Sequence, residues 1–158
     1  MGAVVRPVMR QGLMMAAALW CSAAQAGEPA FAYKFAPRPN LADPAKPTPA
    51  IDARYSAAYR ACQNDPASTT YSLNMCQNAE MKRQDQAINL QWPQAMARVG
   101  KTRAPALRQA ERKWIAAREA YCKGWADDYR GGTIAGVIYG GCYIDETIRR
   151  TIWLEHLR

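Results

Sequence analysis

The chain has 158 residues, of which 49% are hydrophobic and 22% are charged, and its formal net charge is +8. A positive charge of this size fits contact with anionic polymers or lipid headgroups, although a solvated surface is the commoner explanation. The single histidine, His156, lies near the chain end, and no C-x-x-C pair occurs. The sequence therefore lacks zinc-ligand spacing and predicts no cofactor.

Residues 1–26 have the features of a bacterial-type secretory signal peptide. Two arginines precede an apolar run, and a small-x-small cleavage signal ends at Ala26. The run is too short for a permanent anchor, so we expect a periplasmic or secreted protein with no transmembrane anchor after cleavage. A lipoprotein signal would place Cys21 at the cut site, but the bulky Trp20 before it argues against that alternative.

The four cysteines that remain after cleavage are predicted to form two disulfide bridges. An even set of cysteines in a secreted chain of this size is typical of disulfides. Three pairings are possible, and we favour the sequence neighbours because each pair closes a short loop. These pairs are Cys62 with Cys76 and Cys122 with Cys142. In the chain-entropy model each bridge would contribute about 3 kcal/mol.

Six prolines fall within residues 27–51, which predicts a Pro-rich linker or arm there. Three aromatic residues alternate near its start: Phe31, Tyr33 and Phe35. They could dock on the rest of the protein, but the composition favours a mobile tail.

Residues 52–158 are predicted to form one helical domain. Asp52 is a suitable N-cap for a short helix that ends at Ala61. A long helix should begin near Thr70 and reach at least Gln91, because its apolar residues recur at helical spacing. The stripe consists of Met81, Asp85, Ile88, Trp92 and Met96.

Two further helices are expected after a basic loop at residues 100–104. The first begins at Pro105 and ends before the turn Gly131-Gly132. The last runs from about Tyr143 to Leu157. These elements predict a mainly α fold, a small disulfide-stapled bundle of three to four helices with a Pro-rich N-terminal arm.

Asp85 lies inside the apolar stripe, where an unpaired carboxylate would be costly. Arg118 lies beside the stripe of the following helix and Arg150 lies on the last helix, so we predict a structural ion pair between Asp85 and one of these arginines. A catalytic role would need a second carboxylate or a histidine nearby, and the sequence indicates neither. We therefore predict no catalytic residues and no enzymatic activity.

The order and spacing of several motifs resemble those of the LprI-type lysozyme-inhibitor family. The segment from Asp85 to Trp92 is similar to the family's D-x-x-L-N-x-x-Y motif, with Ile88 and Trp92 in place of leucine and tyrosine. Further matches are Cys62 and Cys76, the block Trp114, Arg118 and Cys122, the turn Gly131-Gly132-Thr133, and the block Cys142, Thr147, Arg150 and Leu154. The resemblance implies a small, helical, disulfide-stabilised envelope protein that inhibits lysozyme by binding it.

The apolar, glycine-rich segment at residues 131–141 is the predicted partner-binding surface. We interpret it as a loop with acidic residues, including Asp145 and Glu146, on both sides. Because animal lysozymes are strongly basic, this acidic collar would offset the repulsion of a positively charged inhibitor. The alternative, that the apolar side chains fold back into the core, is the commoner behaviour. The predicted contact residues are Asp127, Asp128, Val137, Ile138 and Tyr139.

A second hypothesis is an envelope module that binds peptidoglycan or another anionic polymer through a basic surface. The residues that would supply the charge are Arg98, Lys101, Arg103, Arg108, Arg112 and Lys113. No nucleic-acid partner is predicted. An enzyme ranks last, because no nucleophile–base pair, metal-ligand set or phosphate-binding glycine loop appears in the sequence.

Overall fold

A computed structural model describes residues 31–37 and 47–158 of the chain. The predicted signal peptide and Cys21 lie outside the described residues. The described residues form four helices, which are α1 (Pro49–Asp52), α2 (Ala57–Asn64), α3 (Thr70–Asp127) and α4 (Ile134–His156). Neither described range contains a strand, and two disulfides join the helices. The predicted mainly α, disulfide-stapled bundle is confirmed.

Helix α3 is a helical hairpin and not a straight rod. In an uninterrupted helix, residues 85 and 118 would lie about 50 Å apart. Instead, Oδ1 of Asp85 lies 3.9 Å from Nη1 of Arg118, because the chain reverses at Gly100. We call residues 70–99 the N-terminal limb of α3 and residues 101–127 its C-terminal limb.

The reversal depends on a backbone conformation that only glycine adopts readily. Gly100 has φ 72° and ψ 172°, in a region that is essentially restricted to glycine. An added Cβ would meet no atom within 4 Å, so backbone strain, and not crowding, requires glycine. The predicted loop at residues 100–104 is wrong. Within α3 only Gly100 leaves the helical conformation, and the helix resumes before Pro105.

Helices α2 and α3 both begin at capped positions. Oγ of Ser56 accepts a hydrogen bond from the backbone N–H of Tyr59 at 3.0 Å. Thr69 and Ser72 form a reciprocal capping box at the start of α3, in agreement with the predicted start near residue 70. The prediction for the short helix is wrong, because Ser56 caps it and Asp52 is the last residue of α1.

Helix α4 begins at Ile134, well before the predicted start near residue 143. Its early glycines allow a close approach of the N-terminal limb. An added Cβ on Gly136 would lie 2.6 Å from Oδ1 of Asn74, and one on Gly140 would lie 2.5 Å from Oε1 of Gln77. Packing against a neighbouring helix therefore outweighs the low intrinsic helix propensity of these glycines.

Helix α4 packs along both limbs of α3. Gln77 donates to the carbonyl of Val137 at 2.9 Å, and Arg98 donates to that of Leu157 at 3.1 Å, so the N-terminal limb and α4 run parallel. The C-terminal limb runs in the opposite direction. We call the two ends of the bundle the Gly100 end and the Ile134 end. The main core cluster between the helices contains Ile88, Ala95, Val99, Leu107, Trp114 and Leu154.

A second core cluster packs α1 and α2 against α3 and α4. Its buried members are Ile51, Tyr59, Ile144 and Ile148. Because Ile51 is only 1% exposed, the packed core extends to a residue before the predicted domain boundary at residue 52.

Residues 31–37 of the arm dock against the bundle. All three alternating aromatic side chains meet an aromatic ring of a helix, and the ring centroids lie 4.7–6.2 Å apart. The prediction of a mobile tail is therefore wrong for these residues. The contacting pairs are Phe31 with Trp153, Tyr33 with Trp114, and Phe35 with Tyr121.

Candidate functional site

A buried polar cluster centres on Arg118. Its guanidinium donates to Oγ1 of Thr147 at 2.7 Å and to the hydroxyl of Tyr143 at 2.8 Å. That hydroxyl in turn donates to Oδ1 of Asp85 at 2.9 Å. The Arg118 side chain is 9% exposed and that of Asp85 is 44% exposed, so Tyr143 links a buried cation to a carboxylate that keeps contact with solvent. This cluster ties both limbs of α3 to α4.

Arg150 belongs to a separate buried pair. Its Nη2 lies 2.7 Å from Oε2 of Glu111, and the two side chains are 0% and 13% exposed. Its guanidinium also lies 4.0 Å from the ring centroid of Trp153. Burial lowers the pKa of Arg150, although the carboxylate of Glu111 opposes this effect. In the structure, Arg118 and not Arg150 is therefore the arginine that faces Asp85.

The two disulfide bridges join the cysteine pairs favoured in the sequence. Cys62 and Cys76 link α2 to the N-terminal limb, and Cys122 and Cys142 link the C-terminal limb to α4. Two bridges of this kind fit an oxidising compartment.

Asp145 and Glu146 hold flanking segments onto α4 and do not form an exposed acidic collar. The hydroxyl of Tyr55 donates to Asp145. Glu146 accepts from the hydroxyl of Tyr33 at 2.9 Å and from the backbone N–H of Ala36 at 3.3 Å. Burial raises the pKa of both carboxyl groups. The expectation that these two acids would present charge to a partner is therefore wrong.

Glu80 is a buried acid that no motif or spacing in the sequence predicts. It accepts hydrogen bonds from the backbone N–H of Ser56 at 3.2 Å and from Gln84 at 2.7 Å, and it also pairs with Arg83. Burial raises the pKa of Glu80, but the hydrogen bonds from Arg83, Ser56 and Gln84 outweigh this effect, and its pKa is lowered overall. Glu80 lies in a polar stretch of α3, so the spacing of apolar residues does not predict that it is buried.

The predicted contact residues lie near the Ile134 end, but not on a loop. Val137, Ile138 and Tyr139 are half-buried residues of α4, and the Tyr139 hydroxyl donates to Glu119 at 2.6 Å. The predicted loop at residues 131–141 is wrong, because most of that segment belongs to α4. Two of the predicted residues are exposed near the end of α3, and they are Asp127 and Asp128.

Three large apolar side chains are exposed at the Ile134 end. Tyr71 is 75% exposed, Met75 is 54% exposed and Ile134 is 36% exposed. Asn74 lies against Gly136, so the start of the N-terminal limb lies beside the start of α4. All three therefore lie near one end of the bundle, where exposed apolar side chains are available for contact with a partner protein. No sequence pattern predicts this surface, because its residues belong to two helices that lie side by side only in the fold.

Positive charge is concentrated in the half of the bundle next to Gly100. Residues 98–113 contain six basic residues and one acidic residue, a net charge of +5, whereas residues 27–158 as a whole carry +6. The rest of the chain after the predicted cleavage site is therefore nearly neutral. Two of the six basic residues are engaged at the chain end, where Arg98 donates to the carbonyls of Leu154 and Leu157 and Arg103 donates to that of Arg158.

These features define a small, disulfide-bridged helical protein whose described helices are all too short or too polar to cross a membrane. The family model described as "Lysozyme inhibitor LprI" matches residues 62–154, more than half of the chain. The chain therefore belongs to the LprI family, as its motifs predicted. No curated protein and no solved structure gives a significant match.

The residues that carry the resemblance to this family mostly hold the fold together. Trp114, Arg118 and Cys122 are buried in the bundle, as are Thr147 and Arg150. Matching such residues indicates the fold more directly than the activity.

Proposed function

We propose that this protein is exported to the bacterial envelope or beyond and inhibits lysozyme by binding it. Membership of the LprI family across residues 62–154 is the observation that carries the proposal. The two disulfides support export, because such bridges persist in oxidising compartments.

The Ile134 end is the surface that we propose for lysozyme. Protein interfaces commonly have apolar anchors at the centre and polar groups at the rim. Tyr71, Met75 and Ile134 are the exposed apolar candidates for the centre. Asp127 and Asp128 would lie at the rim and would face a cationic enzyme.

The charge distribution is compatible with this orientation. A basic inhibitor would be repelled by a basic enzyme, but here the positive charge is concentrated toward the Gly100 end. The residue of this basic segment nearest the Ile134 end is Lys113, which precedes Asp127 by 14 residues on the same helix, a distance of roughly 20 Å. That separation is more than twice the screening length of about 8 Å at physiological salt, so the basic segment repels a cation at the Ile134 end only weakly.

We propose that inhibition occurs by obstruction of the enzyme and involves no chemical step. The family name describes an inhibitor, and a rigid bundle end with apolar side chains needs only to cover the entrance of a substrate cleft. The half-buried residues Val137, Ile138 and Tyr139 would then support this surface from within α4.

A turbidity assay of lysozyme on bacterial cells, with the purified disulfide-bonded protein, tests the proposal. We expect inhibition by the wild type and an about tenfold or greater loss of potency for Tyr71→Ala and Ile134→Ala, because truncation of a central interface anchor costs about 2 kcal/mol or more and about 1.4 kcal/mol is a factor of ten in affinity. Leu90→Ala is the matched control, since Leu90 is 71% exposed on the same helix as Tyr71 but lies well away from it.

Two results of this assay would contradict the proposal in different ways. Absence of inhibition of any lysozyme by the folded wild type would reject the function. Inhibition that Leu90→Ala weakens as much as Tyr71→Ala would reject the Ile134 end as the contact surface and leave the inhibitor assignment intact.

A further inference from the structure

Three basic side chains form a strip along one side of the C-terminal limb. Lys101, Arg108 and Arg112 are spaced by seven and four residues, so they lie on one helix face over about 16 Å. Lys113 flanks the strip. All four side chains are exposed, and within the described part of the chain none has a hydrogen bond or an ion pair.

The strip is not neutralised by neighbouring acids. The only acidic residue among residues 98–113 is Glu111, which turns inward and pairs with Arg150 at 2.7 Å. Most arginines elsewhere in the described bundle do have acidic partners. These pairs are Arg54 with Glu155, Arg60 with Asp52, Arg83 with Glu80, Arg130 with Asp127, and Arg149 with Glu146. The strip therefore presents uncompensated charge, unlike most arginines of the fold.

We propose that this strip binds a linear polyanion of the cell envelope through phosphate or carboxylate groups. A row of cations suits an extended ligand, because the charges do not converge on one point as they would around a single small anion. Guanidinium groups also bind phosphates and carboxylates with two parallel hydrogen bonds. The polymer-binding hypothesis drawn from the sequence thus becomes specific to the strip Lys101, Arg108 and Arg112, with Lys113 beside it.

A polymer fits this surface better than a membrane does. Helices that bind at a membrane surface bury an apolar face beneath their cations. Of the large apolar side chains that are exposed in the described ranges, Ile115 alone lies beside the strip; it is 48% exposed and follows Arg108 by seven residues on the same helix face. One isoleucine is much less apolar surface than the face that membrane-bound helices bury, so the strip suits an anionic chain better than a lipid surface.

The inference does not depend on lysozyme inhibition. If both activities hold, the polymer would bind near the Gly100 end and leave the Ile134 end available for the enzyme. Strip variants should then lose polymer binding and keep their potency in the turbidity assay, so failure of one proposal can be distinguished from failure of the other.

The test is a direct binding titration with two labelled probes, inorganic polyphosphate and poly-L-glutamate, over a salt series. The strip variant carries Lys101→Gln, Arg108→Gln and Arg112→Gln. The matched control carries Lys34→Gln, Lys82→Gln and Lys123→Gln, which removes the same total charge from exposed positions elsewhere. Circular dichroism and thermal unfolding of both variants establish that each is folded.

We expect the strip variant to bind about a hundredfold more weakly at low salt, since each cation near an anionic surface contributes roughly a fivefold change in affinity. Its plot of log affinity against log salt should be shallower by about two units, because three fewer anionic groups are contacted. The control should change binding less than threefold. The stronger of the two probes identifies phosphate or carboxylate as the preferred group.

Three outcomes would overturn the inference. The first is a wild-type protein that binds neither polymer. The second is an equal loss in the strip variant and the control, which would show that only net charge matters. The third is binding to vesicles of phosphatidylglycerol that exceeds binding to both polymers, which would assign the strip to a membrane surface.

Discussion

Asp85 and Arg118 face each other across the two limbs of α3, and the hydroxyl of Tyr143 connects them. The direct distance of 3.9 Å is longer than the two hydrogen bonds through Tyr143, which are 2.9 Å and 2.8 Å. Arg118 also donates to Thr147. Loss of Asp85 would therefore not leave the guanidinium without partners, and the bridging hydroxyl should matter more than the direct ion pair.

We accordingly expect Asp85→Ala to lower the free energy of unfolding by about 1 kcal/mol, as for partly exposed ion pairs. Tyr143→Phe should cost about 1–2 kcal/mol, because it removes hydrogen bonds to charged groups. In a double-mutant cycle followed by chemical denaturation, the double variant should lose less than the sum. Strict additivity would show that the hydroxyl does not connect the two residues.

Gly100 provides a second test, because the hairpin depends on its backbone conformation. Gly100→Ala should lower the free energy of unfolding by about 1–3 kcal/mol through strain, although space for the methyl group exists. The control is Gly141→Ala, where the new Cβ would lie 3.6 Å from Gln77 at ordinary contact distance. That variant should be neutral or more stable, because alanine favours helix. If urea denaturation showed the same loss of unfolding free energy for Gly100→Ala and Gly141→Ala, backbone strain at Gly100 would not explain the turn.

The parts of the fold that the sequence predicted depend on local signals. Helical spacing from Met81 to Met96 identified the N-terminal limb, and cysteine spacing indicated the bridges that the structure contains. Asp85 lies within the apolar stripe, and a carboxylate in that position needs a partner. These inferences required only neighbours along the chain or along one helix face.

The missed features depend on contacts between distant segments. Gly100 looked like the start of a loop, because sequence alone does not reveal that a single glycine can reverse a helix. Residues 134–141 belong to the predicted loop but form helix in the structure, because their glycines disfavour helix until Asn74 and Gln77 pack against them. The surface at the Ile134 end was missed for the same reason, because its exposed apolar residues belong to two helices that lie side by side only in the fold.

Glu146 predicts a specific pH dependence of stability. A carboxyl group whose pKa is higher in the folded state binds more protons when folded, so its contribution to stability falls as pH rises. Burial raises the pKa of Glu146 above its usual 4.5. The stability of the wild type relative to Glu146→Gln should therefore decrease as the pH rises above about 4.5, as measured by chemical denaturation.

Glu80→Gln is the comparison variant for this experiment, because the pKa of Glu80 is lowered and not raised. Its carboxylate contributes stability above the unfolded pKa, and that contribution is lost as pH falls below about 4.5. The stability of the wild type relative to Glu80→Gln should therefore increase with pH. If the stability difference changed with pH in the same direction for both variants, the environments assigned to Glu146 and Glu80 would be contradicted.

Export predicts a defined covalent state of the mature protein. Intact mass measured without reduction should correspond to a chain that begins at Gly27 and is lighter by four hydrogens, two for each bridge. Reduction should restore those four hydrogens. A retained N-terminal segment would reject the predicted cleavage site, and free thiols would argue against an oxidising compartment. Crossed cysteine pairs in peptide mapping would leave export intact and reject only the pairing.

The two bridges should differ in their effect on stability. They close loops of similar length, with sequence separations of 14 and 20, so loop closure alone predicts about 3 kcal/mol for each. Cys122 and Cys142 are 0% and 3% exposed, whereas Cys62 and Cys76 are half-buried. Replacement of the buried pair by alanines should therefore cost more, because it also leaves a cavity in the core. Urea denaturation of both double-alanine variants under non-reducing conditions measures the difference. A larger loss for the Cys62 and Cys76 variant would show that the burial of Cys122 and Cys142 does not determine how much their bridge stabilises the fold.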